Sequence, residues 1–193
     1  MIDLKKIHEI GLLLKNSIDE SKIYKTIFNV VSKPVQFDFG TLFINTNGNE
    51  LTPIYSINEV VVDLASDFSI GNGSGIAGWV SNNDNPVIFP NFMNNNPARK
   101  FSSFVSIPLI IDEKRIGVMN LGHKDPNHFK EDDAVNFGLL GNQIAIILDK
   151  LNLKKEINSL NLKLDNTLKE LNETQENLNQ KEKIAIISED VMF

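Results

Sequence analysis

Residues 71 to 121 read GNGSGIAGWVSNNDNPVIFPNFMNNNPARKFSSFVSIPLIIDEKRIGVMNL, and the fold is decided by how this stretch is read. Gly71, Gly73, Gly75 and Gly78 cluster just ahead of Trp79, the only tryptophan of the chain. Such a cluster lets the backbone bend tightly and enter positive φ where other residues would be strained. Pro86 to Phe89 then carries a short apolar strand signal, and Asn91 to Ser103 is too polar and asparagine-rich for a regular element. Phe104 to Ile111 and Arg115 to Leu121 are β-rich runs, and Asp112 to Lys114 reads as the hairpin turn between them.

Upstream, Leu4, Ile7, Gly11 and Leu14 recur at helical spacing with Lys5, Lys6, Glu9 and Lys15 on the other side, which predicts an amphipathic helix. Ser17 or Asp19 can cap a second helix whose apolar stripe is Ile23, Ile27, Val30 and Val31 and which Pro34 stops. Val35 to Ile44 and Leu51 to Ser56 read as antiparallel strands joined through Asn45 to Glu50, where an Asn-Gly pair favours the turn. Val60 to Ala65 reads either as a short helix or as a strand, and Asp67 to Ile70 as a strand leading into the glycine turn. Ile76 to Asn82 reads as a short helix with Trp79 packed as core.

Downstream, Asp125 to His128 makes a turn, and Glu131, Asp132 and Asp133 crowd the start of a long helix, where acidic side chains suit the positive end of the dipole. Ala134, Phe137, Gly141, Ile144 and Leu148 form a stripe to pack on the sheet and on a partner helix. Farther on, Ile157, Leu164, Leu171, Leu178 and Ala185 recur at seven-residue intervals. A second seam of Ile146, Leu153 and Leu160 fades to Thr167, Thr174 and Lys181. No proline or glycine interrupts Asn142 to Phe193, so the pattern predicts a parallel two-stranded coiled coil, marginal alone because of its polar seam. The other reading is a solvated single helix, which gains little without a partner.

The chain has 193 residues, 41% hydrophobic and 23% charged, enough for one substantial core and an appendage. A formal net charge of -6 argues against a nucleic-acid or anionic-membrane surface. Zero cysteines remove disulfides, thiolate zinc sites and thiol nucleophiles together and fit a reducing compartment. No apolar run has a membrane helix's length and the N-terminus lacks a signal peptide's apolar block, so a cytoplasmic location is expected.

The order of motifs resembles the GAF domain, a module that senses small molecules and dimerises. The resemblance rests on Gly73 to Val80 (GSGIAGWV), Pro86-Val87, Ser106 to Ile111 (SIPLII) and Ile116 to Leu121 (IGVMNL). Phe129 with Glu131 to Asp133 and the helix from Asn142 to Leu153 complete it, and it spans roughly Asp19 to Leu153. It implies an α+β fold with a central antiparallel sheet of about six strands, flanking helices and a long C-terminal coiled-coil helix. The implied division is an N-terminal dimerisation helix at 1–18, a sensor domain at 19–150 and a signalling helix at 151–193. In this family the Asn91 to Ser103 segment would form the lid and wall of a ligand pocket, and a long loop in a compact domain is more often functional than accidental. The implied ligand-binding residues are Phe39, Trp79, Phe92, Phe101, Phe104 and Ser106, with Arg99 and Lys100 for an anionic group. The chain departs from the family at Asn91, where an acidic residue is common, and at Lys130, where Ser or Thr usually caps the helix.

Catalytic patterns are absent. The glycines are neither a Walker loop nor a dinucleotide fingerprint, since no Gly-Lys-Ser/Thr follows and no βαβ unit surrounds them. Covalent bilin attachment and methionine sulfoxide reductase chemistry both need thiols that the chain lacks. Asn120, Lys124, Phe129 and Asp132 echo the cyclic-nucleotide motif of some GAF domains only loosely. Of the three histidines, His123 and His128 lie near Asp125 without metal-ligand spacing and read as solvated turn residues; neither metal nor haem is expected. Leu178 to Val191 is similar to the segment that leads into the dimerisation and phosphoacceptor helix of sensor histidine kinases, and the chain stops before any such histidine. The expectation is therefore a non-catalytic, homodimeric sensory front of a sensor histidine kinase in a two-component system, its kinase activity lying beyond Phe193. A ligand-free dimerisation spacer and the regulatory front of a nucleotide cyclase or similar output enzyme are the rivals.

Overall fold

The structure is a computed structural model that describes residues 22–45, 51–58, 84–91 and 100–190. Its elements in chain order are α1 (Ile23–Val31), β1 (Phe39–Asn45), β2 (Leu51–Ile57), β3 (Val87–Phe89), β4 (Ser103–Ile111), β5 (Lys114–His123), a 3-10 turn (Glu131–Asp133) and α2 (Ala134–Asp190). The chain divides into two units, Met1–Leu151 and Asn152–Phe193.

In the first unit all strand pairs are antiparallel, in the order β2-β1-β5-β4-β3. The sixth strand expected near residues 67–70 lies outside the described residues, as do the helices expected at 4–14 and 76–82. The turn at Asp112-Glu113 joins β4 to β5 as the sequence predicts, with Asp112 at φ 52°, a left-handed conformation that Asp tolerates better than most residues.

Side chains alternate across the sheet. One face carries Leu42, Val105, Ile107, Leu109, Met119 and Leu121, which pack with α1 and the early turns of α2 into a single cluster. From α1, Ile23, Ile27, Phe28, Val30 and Val31 are buried there, so the predicted stripe holds and Phe28 extends it. The predicted start of this helix does not hold. Lys22, not Ser17 or Asp19, occupies its N-cap and makes no side-chain cap bond, while Thr26 donates both its N–H and its hydroxyl to the Lys22 carbonyl at 2.9 Å. Burial of the stripe carries this short helix where propensity does not. The predicted strand start also moves. Val35 N–H still bonds the Val31 carbonyl at 3.1 Å, so the helix end turns through Val35 and β1 begins only at Phe39.

From α2, Phe137, Leu140, Ile144 and Leu148 face the sheet. Gly141 sits among them where a Cβ would come within 2.4 Å of the Pro108 carbonyl oxygen, so only glycine permits this approach of helix to strand. Lys114 holds the hairpin to the helix through Asp149 at 2.5 Å. In the second unit α2 continues unbroken, and Leu153, Ile157, Leu160, Leu164, Leu171 and Leu178 are each roughly half exposed. Among the described residues no helix is long and apolar enough to cross a membrane.

Candidate functional site

The sheet face away from α1 and α2 is built around a transverse polar row. Thr41 pairs with Ser56 on β2 and with Asn120 on β5, and Asn120 pairs with Ser106 on β4. Four neighbouring strands thus each contribute one hydroxyl or carboxamide to one line. Thr41, Ser106 and Asn120 are fully buried. The Ser106 hydroxyl donates to Asn120 Oδ1 at 2.6 Å, and the Thr41 and Ser56 hydroxyls bond each other at 3.2 Å. Burying such groups costs free energy unless they are hydrogen-bonded, so the row is a feature that the surroundings must support.

Apolar groups frame the row on both sides. Two residues away along the strands lie Phe39, Phe104 and Gly122, and in the other direction Phe43 and Val118. Phe101 stacks on Phe104 at 5.8 Å and approaches Phe39 at 6.5 Å, while Phe89 of β3 lies 6.2 Å from Phe104. The result is an arc of four phenylalanines at one border. Gly122 makes the arc possible, since a Cβ there would stand 3.0 Å from Phe101 Cγ. Phe39, Phe43, Phe101, Phe104 and Val118 form a cluster separate from the helix-side core. A surface of this kind can present flat apolar walls and several directional hydrogen-bonding groups together.

Of the residues expected to bind ligand, Phe39, Phe101, Phe104 and Ser106 come together at this row, and Lys100 is exposed beside Phe101. Trp79, Phe92 and Arg99 lie outside the described residues, as does most of the Asn91 to Ser103 loop. Thr41, Ser56, Asn120, Phe43 and Phe89 were missed. The signal for Asn120 and Thr41 was present as lone polar residues inside apolar runs, at the alternation that puts Phe104 and Ser106 on one face. The loose cyclic-nucleotide echo does not gather in space: Asn120 is in the row, Phe129 packs in the helix-side core, and Lys124 is exposed. His123 and His128, expected as solvated turn residues, are half-buried: His123 closes β5 and His128 lies in the turn that follows. Their rings stack at 3.5 Å, and no set of three metal-ligating side chains converges among the described residues. An open recess of about 380 Å3 lined by Asn45, Glu113, Lys114 and Arg115 lies at the hairpin end of the sheet, away from the row and apart from its chemistry.

These features define a two-faced α+β domain, one face packed by helices and the other closed around a hydrogen-bonding strip. A GAF domain family model matches residues 17–149, and the chain belongs to that family. Among curated proteins none matches the sequence. Solved structures with the same fold include the GAF domain of a phosphoenolpyruvate-protein phosphotransferase from Coxiella burnetii, at 17% identity and a TM-score of 0.61 over 79% of this chain and 96% of that one. The GAF domain of a two-component sensor histidine kinase from Bacillus halodurans matches at 15% identity and a TM-score of 0.55, over 72% and 99%. Free methionine-R-sulfoxide reductase from Neisseria meningitidis, in complex with its substrate, matches at 17% identity and a TM-score of 0.58, over 74% and 86%.

Proposed function

We propose that the chain is a non-catalytic sensory and dimerisation module of a cytoplasmic signal-transduction protein, the N-terminal part of a sensor histidine kinase, and that it binds a small ligand over the Thr41–Asn120–Ser106 row. The observation that carries this reading is the buried polar row with its aromatic frame, on the sheet face opposite α1 and α2. A sheet face meant only for packing would be better served by apolar side chains throughout, because each buried hydroxyl or amide must be matched. The ligand would shift the paired C-terminal helices only as far as it prefers one of their arrangements.

That the Bacillus halodurans relative is a sensor kinase domain supports the class of output. The reductase relative shows that this fold also supports catalysis in other chains. The present chain offers no cysteine for thiol chemistry, and the row presents no nucleophile with an adjacent base.

Isothermal titration and thermal-shift screening of metabolites and cyclic nucleotides, on the chain and on Asn120→Ala, test the reading. Saturable binding that Asn120→Ala weakens at least tenfold is the expected result. One observation favours the rival of a ligand-free spacer: Ser106 bonds Asn120 and Thr41 bonds Ser56 within the row itself. Absence of binding across the screen, with Asn120→Ala altering stability alone, would establish the spacer.

A further inference from the structure

Beyond the polar row, the same end of the sheet carries a histidine arrangement that the ligand reading does not use. His123 closes β5 and His128 lies in the turn before α2, and their rings lie 3.5 Å apart with planes 4° from parallel. Each ring is pinned by its own partners. His123 Nδ1 accepts the Asp125 N–H at 3.0 Å, which leaves the proton of the neutral ring on Nε2, 3.9 Å from Asp38 Oδ2. His128 meets the Gln36 carbonyl through Nε2 at 2.9 Å, and a carbonyl can only accept, so the neutral ring carries its proton there as well.

The contact fastens two stretches of chain distant in sequence. On one side are Gln36 and Asp38, just before β1; on the other is the turn from His123 to His128. Asp38 adds to the closure, because its carboxylate accepts the Lys124 N–H at 2.8 Å and its carbonyl accepts Asn58 Nδ2. Phe129 stands edge-on to His128 at 5.0 Å and meets Phe137 of α2 at 5.9 Å, so the turn is packed onto the start of the long helix.

Two parallel imidazoles in contact tolerate one proton and resist a second, since the charges would face each other across the stack. Among the described residues the other charged groups at the pair are Asp38, Asp125 and Lys124. The Asp38 and Asp125 carboxylates each come within 3.9 Å of a ring nitrogen of His123. Lys124 Nζ, 4.0 Å from Asp38 Oδ1, partly offsets Asp38. We infer that the pair is a proton-operated latch: the stack holds the β5–α2 turn against the segment before β1 while one ring is neutral, and it opens when both rings are protonated. Burial, and then the neighbouring His123, push the His128 pKa below its ordinary value, in the sense the latch requires.

Side-chain NMR of the full chain, titrated from about pH 8 to about 4.5, is the test, with His8→Gln removing the third histidine signal. Two imidazole steps are expected, separated by at least about tenfold in proton affinity, with the backbone amides of Gln36, Asp38, Lys124, Asp125 and residues 127–129 shifting in the second. In His123→Phe a ring remains to stack but no second charge can form, and His128 should titrate in one step at higher pH than in the parent. Should that variant not fold, His128→Phe serves, with His123 titrating alone and the amides of residues 36 and 38 unmoved at low pH. Coincident titration of the two rings in the parent, or a second step that leaves those amides in place, overturns the latch. Neither readout depends on a ligand, so failure of the latch and failure of the sensor reading are distinguishable.

Discussion

Asn120 and Ser106 are fully buried and bonded at 2.6 Å, so removing Asn120 takes this partner from a hydroxyl held away from water. Asn120→Ala is expected to cost about 1–3 kcal/mol, as for other buried polar groups left without a partner, read as a lower urea midpoint at unchanged slope. Ser106→Ala is expected to cost toward the lower end of that range, because the carboxamide it leaves has more than one group through which to bond. His128 sets a pH dependence whose sign follows from its depressed pKa. The unfolded chain takes up this proton near 6.5 and the folded chain only at lower pH, so stability is complete above 6.5 and falls as pH drops toward the folded value. Urea midpoints measured at about pH 7.5 and about pH 5.5 should show this loss, and His128→Gln should reduce it. At this scale sequence reading reached half of the site. Ser106 stands inside the motif SIPLII, whereas Asn120 and Thr41 are visible only once the two strands are placed side by side, which local pattern cannot do.

Among the elements, α2 shows how closely packing constrains a single position. Replacing Gly141 by Ala adds about 1 kcal/mol of helix propensity but drives a methyl to within 2.4 Å of the Pro108 carbonyl oxygen and 2.9 Å of Ile107 Cγ2. Backbone cannot yield as a flexible side chain can, so overpacking of about 1–3 kcal/mol wins and Gly141→Ala lowers the thermal midpoint. An exposed control such as Asn142→Ala should raise it or leave it unchanged. Periodicity alone identified the apolar stripes of both helices, β3, the β4–β5 hairpin and its turn. It failed at the junction before β1, where Val35 and Phe37 read as strand residues. There the hydrogen bond from Val35 to Val31 and the burial of Val35 in the helix-side core prolong the helix end instead.

For the whole molecule the open question is what covers the leucine seam of α2 beyond residue 151. Leu153, Ile157, Leu160, Leu164, Leu171 and Leu178 fall on the two seam positions of a seven-residue repeat and are roughly half exposed in the single chain. Thr167 and Thr174 occupy the same seam, and their hydroxyls turn back to the Lys163 and Glu170 carbonyls at 3.0 and 2.8 Å. Each hydroxyl satisfies itself within its own helix and offers no apolar surface across an interface. If two copies pair along this seam, Thr167→Leu with Thr174→Leu replaces weak layers by apolar ones, worth about 1–2 kcal/mol each per chain. The dimer dissociation constant should then fall by at least tenfold in analytical ultracentrifugation. A chain ending at Leu153 should sediment with lower mass than Met1 to Phe193 at the same concentration, because it loses every seam layer beyond Leu153. Equal monomeric mass for both lengths, with the double leucine variant also monomeric, would mean that the helix stands alone and that the polar row has no dimer to act upon.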